Sequence, residues 1–336
     1  MRRAETWRVA IQRDAVEGSR PTETTHLIAR EAGTRGHEVW CYTPADLRLE
    51  DGRVMAWARR IHYAVDSLGW SLDRGEDLDL STMDVVLTRN DPPVDMAWLS
   101  ATWLLDLLPA TTLVLNPPHA LRDVQDKLVP LALSHRSPPT LITADPARIA
   151  IFRAVHGDIV VKPLYEAAGV GIFFFDREDP NFDVVMESWL PAQRAPVVVQ
   201  RYQPEAREGT VRIIVVDGQP CSAMRSVPLD GVRRTSMDRS SRVEPVSLTA
   251  EQEACVAEVS ALLVARGVLL AAIDLVGPWL LEVNVTSPGG GIYFDRLFDD
   301  ALAPRVWDAI ERRRRPVVEV DRDRPAAMPL QLQAAP

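Results

Sequence analysis

The stretch LLAAIDLVGPWLLEVNVTSP, from Leu269 to Pro288, decides the fold of the C-terminal half of this chain. It contains two apolar runs, 269–276 and 279–285, which are separated by the turn dipeptide Gly277-Pro278. Apolar runs of this length on either side of a turn signal are typical of strands. We therefore predict two antiparallel strands joined by a tight turn.

Each predicted strand carries polar residues. Asp274 lies in the first strand, and Glu282 and Asn284 lie two residues apart in the second, so they point to the same face of the sheet. If the turn pairs the strands directly, Asp274 lies near Glu282, and two covered carboxylates repel unless a cation joins them. Carboxylate and amide oxygens suit Mg²⁺, which keeps waters and shares substrate phosphates. The alternative is a sheet with solvent-facing polar residues, but the apolar neighbours of each acid favour the metal site.

The string Glu282-Val283-Asn284-Val285-Thr286-Ser287-Pro288 resembles the ATP-grasp ligases, and more narrowly the bacterial glutathione synthetases. The resemblance extends from about Val9 to Arg312. It implies an α/β (α+β ATP-grasp) fold, with a doubly wound N-terminal domain and a two-subdomain ATP-grasp domain. It also implies ATP and two Mg²⁺ ions as cofactors, with Mn²⁺ as an alternative ion, and Asp274, Glu282 and Asn284 as the metal ligands.

Composition limits the other possibilities. A chain of 336 residues suggests about two domains. The net charge of −9 argues against general binding to nucleic acid or to an anionic membrane, both of which need a basic surface. Three widely spaced cysteines indicate neither a disulfide framework nor a metal site. With no signal peptide or membrane span in the sequence, we expect a cytoplasmic protein, and we expect a homo-oligomer acting on small-molecule or peptide substrates.

The N-terminal half begins with the order strand, loop, helix and strand over residues 7–42, which fits one half of a doubly wound unit. A buried strand at 84–88 then leads into Arg89-Asn90-Asp91-Pro92-Pro93. This position is the carboxyl edge of a sheet, where open α/β sheets bind ligands. The family has a similar string, so the resemblance implies a substrate-side role for Arg89. The alternative is a tight loop with a solvated Arg89.

The domain boundaries follow from breaks in this pattern. Asn116-Pro117-Pro118 interrupts the chain before a new helix, so we predict an N-terminal domain over residues 1–122. The ATP-grasp domain then covers 123–315, with its lid at about 123–200. Residues 316–336 have the composition of a disordered tail.

The nucleotide site is predicted from two lysines and a hinge. Lys162 ends a β-branched run, where a charged side chain must find an anion or reach solvent. The resemblance gives Lys162 and Lys127 contacts with phosphates, the latter from a helix start at 121–128. It further implies that Gln200 and Tyr202 bind adenine at a hinge and that Glu208 binds ribose. The alternative for Glu208 is a surface turn.

The segment 165–171 departs from the family pattern. Glutathione synthetases have a glycine-rich loop here, because glycine lets backbone N–H groups approach phosphates closely. This chain keeps only Gly169 and Gly171 of such a loop, and Glu166 adds a negative charge. We expect the change to alter either the nucleotide geometry or the catalytic rate.

Four arginines and a serine complete the predicted site. Arg212 and Arg225 flank a hairpin with Asp217-Gly218 at its turn, and their guanidinium forks suit a phosphoryl group or a tetrahedral oxyanion. The family uses arginines here in catalysis, although a structural ion pair remains open for Arg225. The resemblance also implies substrate contacts from Ser287 and from Arg233 or Arg234, in the basic segment Asp230–Arg242. A solvated charge run is the alternative for that segment.

The resemblance implies ATP-dependent ligation of γ-glutamylcysteine and glycine through an acyl phosphate, with release of ADP and phosphate. One alternative is a related ligase that acts on another peptide or amino-acid pair. The other is a nucleotide-binding protein that has lost catalysis. The joint presence of Asp274, Glu282, Asn284, Lys127 and Lys162 argues against that loss.

Overall fold

The computed structural model describes residues 5–16, 23–63, 69–193, 195–229, 241–298 and 300–314. The predictions for Arg233, Arg234 and the tail 316–336 therefore lie outside the described residues. Three β-sheets organise the described part of the chain, and their strands follow one another in sequence order from sheet to sheet.

The first sheet contains all strands up to residue 115. Its order is β3-β4-β2-β1-β7-β8, with β5 and β6 also paired to β4, and its central strands β2, β1, β7 and β8 are parallel. The strands are β1 (Arg8–Gln12), β2 (Glu38–Tyr42), β3 (Leu47–Glu50), β4 (Arg53–Tyr63), β5 (Trp70–Leu72), β6 (Glu76–Asp79), β7 (Val85–Thr88) and β8 (Leu113–Leu115), and the helices are α1 (Thr24–Thr34), α2 (Met96–Leu105) and α3 (Pro118–Asp123). The chain order reverses between β1 and β7, as in a doubly wound sheet.

The sequence predicts a helix over 94–108 whose Met96, Leu99, Trp103 and Leu107 lie in the core or at a subunit interface. The helix is present as α2, but Met96, Trp103 and Leu107 are exposed, while Trp98 and Leu105 are buried, so the core alternative is wrong for these three residues. The helix is apolar on nearly every side, so its periodicity does not identify the buried face.

The second sheet lies between residues 140 and 201 and is antiparallel, in the order β11-β10-β12-β9. Its core contains Ile149, Val161, Phe175 and Phe182. The strands are β9 (Thr140–Thr143), β10 (Ile159–Pro163), β11 (Phe173–Phe175) and β12 (Val197–Arg201), and the helices of this region are α4 (Val129–Ala132), α5 (Pro146–His156) and α6 (Phe182–Ser188).

The third sheet contains the stretch from which the fold was predicted. It is antiparallel in the order β15-β14-β13-β16-β17, and the predicted hairpins with turns at Asp217-Gly218 and Gly277-Pro278 are confirmed. The elements are β13 (Thr210–Val216), β14 (Gln219–Pro228), β15 (Ser241–Val246), α7 (Ala250–Ala265), β16 (Leu270–Val276), β17 (Trp279–Asn284), α8 (Gly291–Leu297) and α9 (Leu302–Arg314).

Helices α7 and α9 complete the packing of this third sheet. The sequence predicts a helix over 249–266 that is capped by Thr249. This cap is confirmed, because the Thr249 hydroxyl accepts a hydrogen bond from the backbone N–H of Gln252. Residues such as Val256 and Val259 of α7 pack on one face of the sheet. On α9, Trp307 is fully buried and donates from Nε1 to the Ile28 carbonyl at 2.7 Å, which ties this helix to α1. No helix in the described ranges combines the length and apolar character needed to cross a membrane.

Asn116 joins the first sheet to the third. It directly follows β8, and it is 6% exposed. Its Nδ2 donates to the carbonyls of Leu270 and Val285 at 2.8 and 2.7 Å, and its Oδ1 accepts from the N–H groups of Leu269 and Leu270 at 2.8 and 3.1 Å. One side chain therefore satisfies four backbone groups at the start of β16 and just beyond β17.

We expect Asn116→Ala to destabilise the fold strongly. The change leaves four buried backbone groups without partners, and each such group costs about 1–3 kcal/mol. The apparent free energy of unfolding should fall by at least about 3 kcal/mol, measured by urea denaturation. Asn181→Ala is the matched control, because Asn181 is exposed and its amide bonds only Asp179. Equal midpoints for the two variants would contradict the role assigned to Asn116.

Candidate active site

Three charged side chains form a row across the third sheet. Arg212 on β13 pairs in register with Asp274 on β16, and Asp274 pairs with Glu282 on β17, so all three leave the same face of the sheet. Arg212 donates from Nε to Oδ1 of Asp274 at 2.7 Å and from Nη2 to Oδ2 at 2.6 Å. Asp274 is 5% exposed. The predicted cross-strand pairing of Asp274 with Glu282 is confirmed; we call Arg212, Asp274 and Glu282 the polar row.

Asn284 lies next to the polar row. Its Nδ2 donates to Oδ2 of Asp274 at 3.0 Å, and its side chain also hydrogen-bonds Glu282. The described residues contain no group of three His, Cys, Asp or Glu side chains suited to a metal ion, so the donor set here is two carboxylates and one amide. Such oxygen donors fit Mg²⁺, which takes its remaining ligands from water and phosphate. Metal binding would require Asn284 to present its amide oxygen.

Both predicted lysines lie close to the polar row and are buried. Lys127 and Lys162 are each 6% exposed, and both interact electrostatically with Glu282. Lys162 is on β10, so its charge reaches the polar row from the second sheet and not from the sheet that contains the row. The alternative of a solvated Lys162 is therefore wrong.

The local structure around Lys127 differs from the predicted helix start. Helix α3 ends at Asp123, and Lys127 lies in a turn that is held by the side chain of Gln125, whose Oε1 accepts from the Lys127 N–H at 2.8 Å. The ammonium donates to the Glu166 carbonyl. Lys127 is therefore a buried residue of a fixed turn, and not an exposed helical lysine.

The pKa shifts show how these charges compensate one another. Burial alone would raise the pKa of Glu282, but Lys127, Lys162 and Arg212 hold it below its usual value. Burial lowers the pKa of Lys162, and Glu282 opposes this shift. Three cations thus compensate the two carboxylates of the polar row, and they supply positive charge that suits a polyphosphate in a chain of net charge −9.

Asp126 is a third acid that we did not predict. Burial and the charge of Glu282 raise its pKa to about 7. Its Oδ1 accepts from the Val285 N–H at 3.2 Å, and its carbonyl accepts from the Val283 N–H at 2.9 Å. Asp126 therefore fixes the turn of Lys127 against β17. An acid in a polar segment gives no sequence signal for such burial.

The chain contains only two lysines among its 38 lysine and arginine residues, and they are Lys127 and Lys162. All the other residues in this count are arginines. Lysine is a compact point charge, whereas arginine is a planar fork that binds oxygens in pairs. The two lysines therefore mark the positions where this chain uses a compact ammonium.

The loop after Lys162 keeps an unusual backbone with few glycines. Ala168, Gly169 and Gly171 have φ values of +53°, +76° and +68°. A Cβ on Gly171 would lie 2.9 Å from Cγ of Pro163, so this position requires glycine for space as well as for conformation. Ala168 adopts the left-handed conformation without being glycine, which is a strained arrangement.

The predicted hinge residues lie at the end of β12, the last strand of the second sheet, and in the segment that leads to β13. Gln200 is buried on β12 and donates to Oγ1 of Thr140 at 3.1 Å, while Tyr202 packs edge-on against Phe174. Glu208 is exposed. Glu205, which we did not predict, is half-buried, and its Oε2 has no hydrogen-bond partner within the described residues.

Arg89 connects the first sheet to the loop that follows β17. It is 6% exposed, so the alternative of a solvated Arg89 is wrong. Its Nε donates to Oγ1 of Thr25, and its Nη2 donates to the Pro288 carbonyl, both at 3.1 Å. Ser287 also reaches this edge, because its side chain hydrogen-bonds Asp91. Burial lowers the pKa of Arg89 to about 10, although Asp91 and Asp14 oppose the shift.

The register separates Arg225 from the polar row. Arg225 pairs with Val211, whereas Arg212 pairs with Met224, so the two arginines leave opposite faces of the sheet. The predicted catalytic role of Arg225 thus has no support from the register. Arg212 and Arg225 are nevertheless close along the strands, because the cross-strand pairs to which they belong are adjacent.

Comparison with known proteins identifies the family. The family models described as "Prokaryotic glutathione synthetase, N-terminal domain" and "Prokaryotic glutathione synthetase, ATP-grasp domain" match residues 7–122 and 126–298. The glutathione synthetase of Agrobacterium fabrum is 39% identical over 91% of this chain and 97% of its own length. That of Mesorhizobium japonicum is 37% identical over 92% of this chain and 99% of its own length.

Solved structures show the same fold at lower identity. D-cycloserine synthetase DcsG has a TM-score of 0.63 and 19% identity, over 92% of this chain and all of its own. The ATP-grasp ligase PsnB has a TM-score of 0.60 and 18% identity, over 93% and 99% of the two chains. The chain therefore belongs to the prokaryotic glutathione synthetase family, and it is a carboxylate–amine ligase of the ATP-grasp fold that uses ATP and a divalent metal.

Proposed function

We propose that this enzyme joins γ-glutamylcysteine to glycine. A carboxylate oxygen of γ-glutamylcysteine attacks the γ-phosphorus of ATP, and the bond from that phosphorus to ADP breaks. The glycine nitrogen then attacks the carbonyl carbon of the acyl phosphate, loses a proton and displaces phosphate. The observation that carries the proposal is the polar row with both lysines of the chain close to Glu282, together with relatives named glutathione synthetase at up to 39% identity.

The polar row and Asn284 form the proposed metal site. Asp274, Glu282 and Asn284 would hold two Mg²⁺ ions, with Mn²⁺ as an alternative, and these ions would neutralise charge on the transferred phosphoryl group. Arg212 occupies both oxygens of Asp274 on one side. A carboxylate has about four lone-pair sites, so Asp274 keeps sites for a metal while Arg212 fixes its orientation.

The remaining site residues take roles according to their positions. Lys127 and Lys162 bind the phosphates, and Gln200, Tyr202 and Glu208 bind the nucleoside at the hinge. Arg212 supports the acyl phosphate and the tetrahedral species by its charge. On the substrate side, Arg89 and Ser287 shape the carboxyl edge of the first sheet; substrate contacts by Arg233 and Arg234, and a catalytic role for Arg225, stay predictions.

The domain division that we infer is 1–122, 123–315 and 316–336, with a lid at about 123–200. It is supported by the sheets, because strands up to β8 form one sheet, and β9 to β12 form a separate one. A cytoplasmic location and a homo-oligomeric state also belong to this proposal.

A second candidate is a ligase of the same mechanism that uses another peptide or amino-acid pair. The observation that favours it is the loop 165–171, in which Ala168 takes a left-handed conformation and Glu166 brings a negative charge. An altered phosphate loop is compatible with altered substrates. The intact polar row argues against a protein that has lost catalysis.

The substrate pair is tested by measuring ADP release and amide formation with purified enzyme at saturating Mg²⁺. We expect γ-glutamylcysteine and glycine to give the highest kcat/KM in a panel of dipeptides and amino acids, with the product identified by mass spectrometry. Product from a different pair, without product from this one, would replace the first proposal by the second.

Glu282→Gln should abolish Mg²⁺-dependent turnover while the protein stays folded. The substitution keeps the shape of the side chain but removes the charge that holds the ion at the phosphates. Turnover is followed by ADP release across a Mg²⁺ titration, and folding by circular dichroism. Glu258→Gln is the control, since Glu258 pairs with Arg136 and His135 at the surface. Unchanged activity of Glu282→Gln at low Mg²⁺ would refute the metal assignment.

Lys162→Met should weaken ATP binding by about 1–3 kcal/mol, because a charged hydrogen bond to phosphate is lost while the apolar stem is kept. Lys162→Arg keeps the charge but introduces the larger fork into a buried position, so we expect it to restore binding only in part. Calorimetric titration with ATP measures both variants. Equal affinities for Lys162→Met and the parent enzyme would show that Lys162 does not contact the nucleotide.

A further inference from the structure

The carboxyl edge of the first sheet contains a second arginine beside Arg89. Arg13 follows β1, as Arg89 follows β7, and the two strands are neighbours with Gln12 opposite Thr88. The Arg89 N–H donates to the Gln12 carbonyl at 2.8 Å, so the two arginines lie at the same level. This position is the point where the strand order reverses, which is where open α/β sheets bind ligands.

Arg13 is buried but only partly paired. It is 7% exposed, its Nη2 lies 3.2 Å from Oε2 of Glu23, and its guanidinium carbon lies 5.2 Å from the centre of the Trp70 ring. Its Nε and Nη1 atoms are buried and have no hydrogen-bond partner among the described residues. A buried guanidinium with unpaired N–H groups is costly, so these two donors point to a ligand.

The surroundings of Arg13 leave these donors available to an anion. Glu23 is the N-cap residue of α1, an 11-residue helix whose positive end lies at this edge. The nearby acid Asp14 accepts from the Asp91 N–H at 3.0 Å and from Nδ2 of Asn90 at 3.3 Å. Asp91 in turn hydrogen-bonds Ser287. The negative charges of Asp14 and Asp91 are therefore directed to other partners.

A cavity lies close to this edge of the sheet, and the loop that leaves the polar row contacts the same edge. A cavity of about 290 Å³ is lined by Val16, Thr43, Asp46, Trp57 and Arg59. Thr43 follows Tyr42, whose carbonyl accepts from the Arg13 N–H at 3.0 Å. In the other direction, Asp91 contacts Ser287, which is three residues beyond Asn284. The loop that follows Asn284 thus contacts the same sheet edge as Arg13.

We propose that Arg13 determines specificity by donating from one of its unpaired N–H groups, at Nε or Nη1, to a second, non-reacting carboxylate of the acid substrate. The inference rests on the proposed function, because γ-glutamylcysteine carries one carboxylate that reacts and another at its glutamyl end. The ammonium group beside that second carboxylate finds its opposite charge in Glu23. A hydrogen bond from a guanidinium to a carboxylate is charge-assisted, and is therefore stronger than one between neutral groups.

The test combines two variants with two ligands. Binding of γ-glutamylcysteine, and of its analogue with the glutamyl α-carboxylate converted to a carboxamide, is measured by calorimetry for the parent, Arg13→Met and Arg13→Lys. We expect the parent to prefer the acid over the carboxamide by about 10- to 100-fold, as for a charged hydrogen bond. Arg13→Met should remove this preference, and Arg13→Lys should keep part of it, while ATP affinity stays unchanged in both.

Arg8→Met is the matched control. Arg8 lies on the same strand and stacks on a tryptophan ring in the same way, with its guanidinium carbon 5.1 Å from the Trp40 ring, but at the opposite end of β1. The Arg8→Met variant should keep the parent's preference for the acid over the carboxamide. A purely structural Arg13 would weaken both ligands equally in Arg13→Met, and that result overturns the inference, as does a parent enzyme that binds both ligands equally.

The substrate proposal and the Arg13 inference fail in different ways. Absence of amide product from γ-glutamylcysteine and glycine, with the acid still bound in preference to its carboxamide, rejects the substrate pair and leaves Arg13 supported. Product formation with an unaltered preference in Arg13→Met retains the substrate pair and rejects the role of Arg13.

Discussion

A cross-strand pair of carboxylates, one buried and one half-buried, is the constraint on which the rest of this structure depends. Asp274 and Glu282 lie opposite each other on one face of a sheet, where like charges repel more strongly than in bulk water. The compensating cations come from three parts of the chain: Arg212 from the same sheet, Lys162 from the second sheet, and Lys127 from the turn before it. The electrostatic requirement of one hairpin therefore brings together the walls of the nucleotide cleft.

The same hairpin is also the mechanical link to the first sheet. Asn116 satisfies backbone groups at the start of β16 and beyond β17, and Arg89 donates to the Pro288 carbonyl. The carboxyl edge of the first sheet, where acid substrates are proposed to lie, is thus held against the loop that follows the proposed metal ligands. A reaction between ATP and an acid needs both in fixed relative positions, since orientation supplies much of the rate. Because one hairpin contacts both the polar row and the edge of the first sheet, it fixes the relative positions of the two.

Local sequence patterns predicted most of the strands and helices, whereas contacts between residues distant in sequence were not predicted. The turn dipeptide at Gly277-Pro278 fixed the pairing of Asp274 with Glu282, and the Thr249 cap fixed the start of α7, because both signals act within a few residues. Asn116 bonds residues 153 and 154 positions away, and no local pattern indicates such partners. The burial of Arg13 and Asp126 depends equally on neighbours distant in sequence.

Three departures from the predictions have specific physical causes. The core alternative for the apolar face of α2 failed because the helix is apolar on almost every side, so burial is decided by tertiary packing. Helix α8, which begins at Gly291, was missed because three consecutive glycines indicate a loop. Arg225 was grouped with Arg212 although the strand register gives them opposite faces, and alternation along a strand makes such a shift of one residue decisive.

The choice of lysine at two positions follows from what the polar row must bind. Arg212 shows what an arginine does beside a buried carboxylate here: its fork takes both oxygens of Asp274. A similar fork opposite Glu282 would occupy both oxygens of the second carboxylate and leave less room for an ion between the pair. An ammonium group offers its charge from a compact head and does not require paired oxygens. In a chain where 38 lysine and arginine residues include only two lysines, placing both next to Glu282 compensates its charge while keeping its oxygens accessible to a metal.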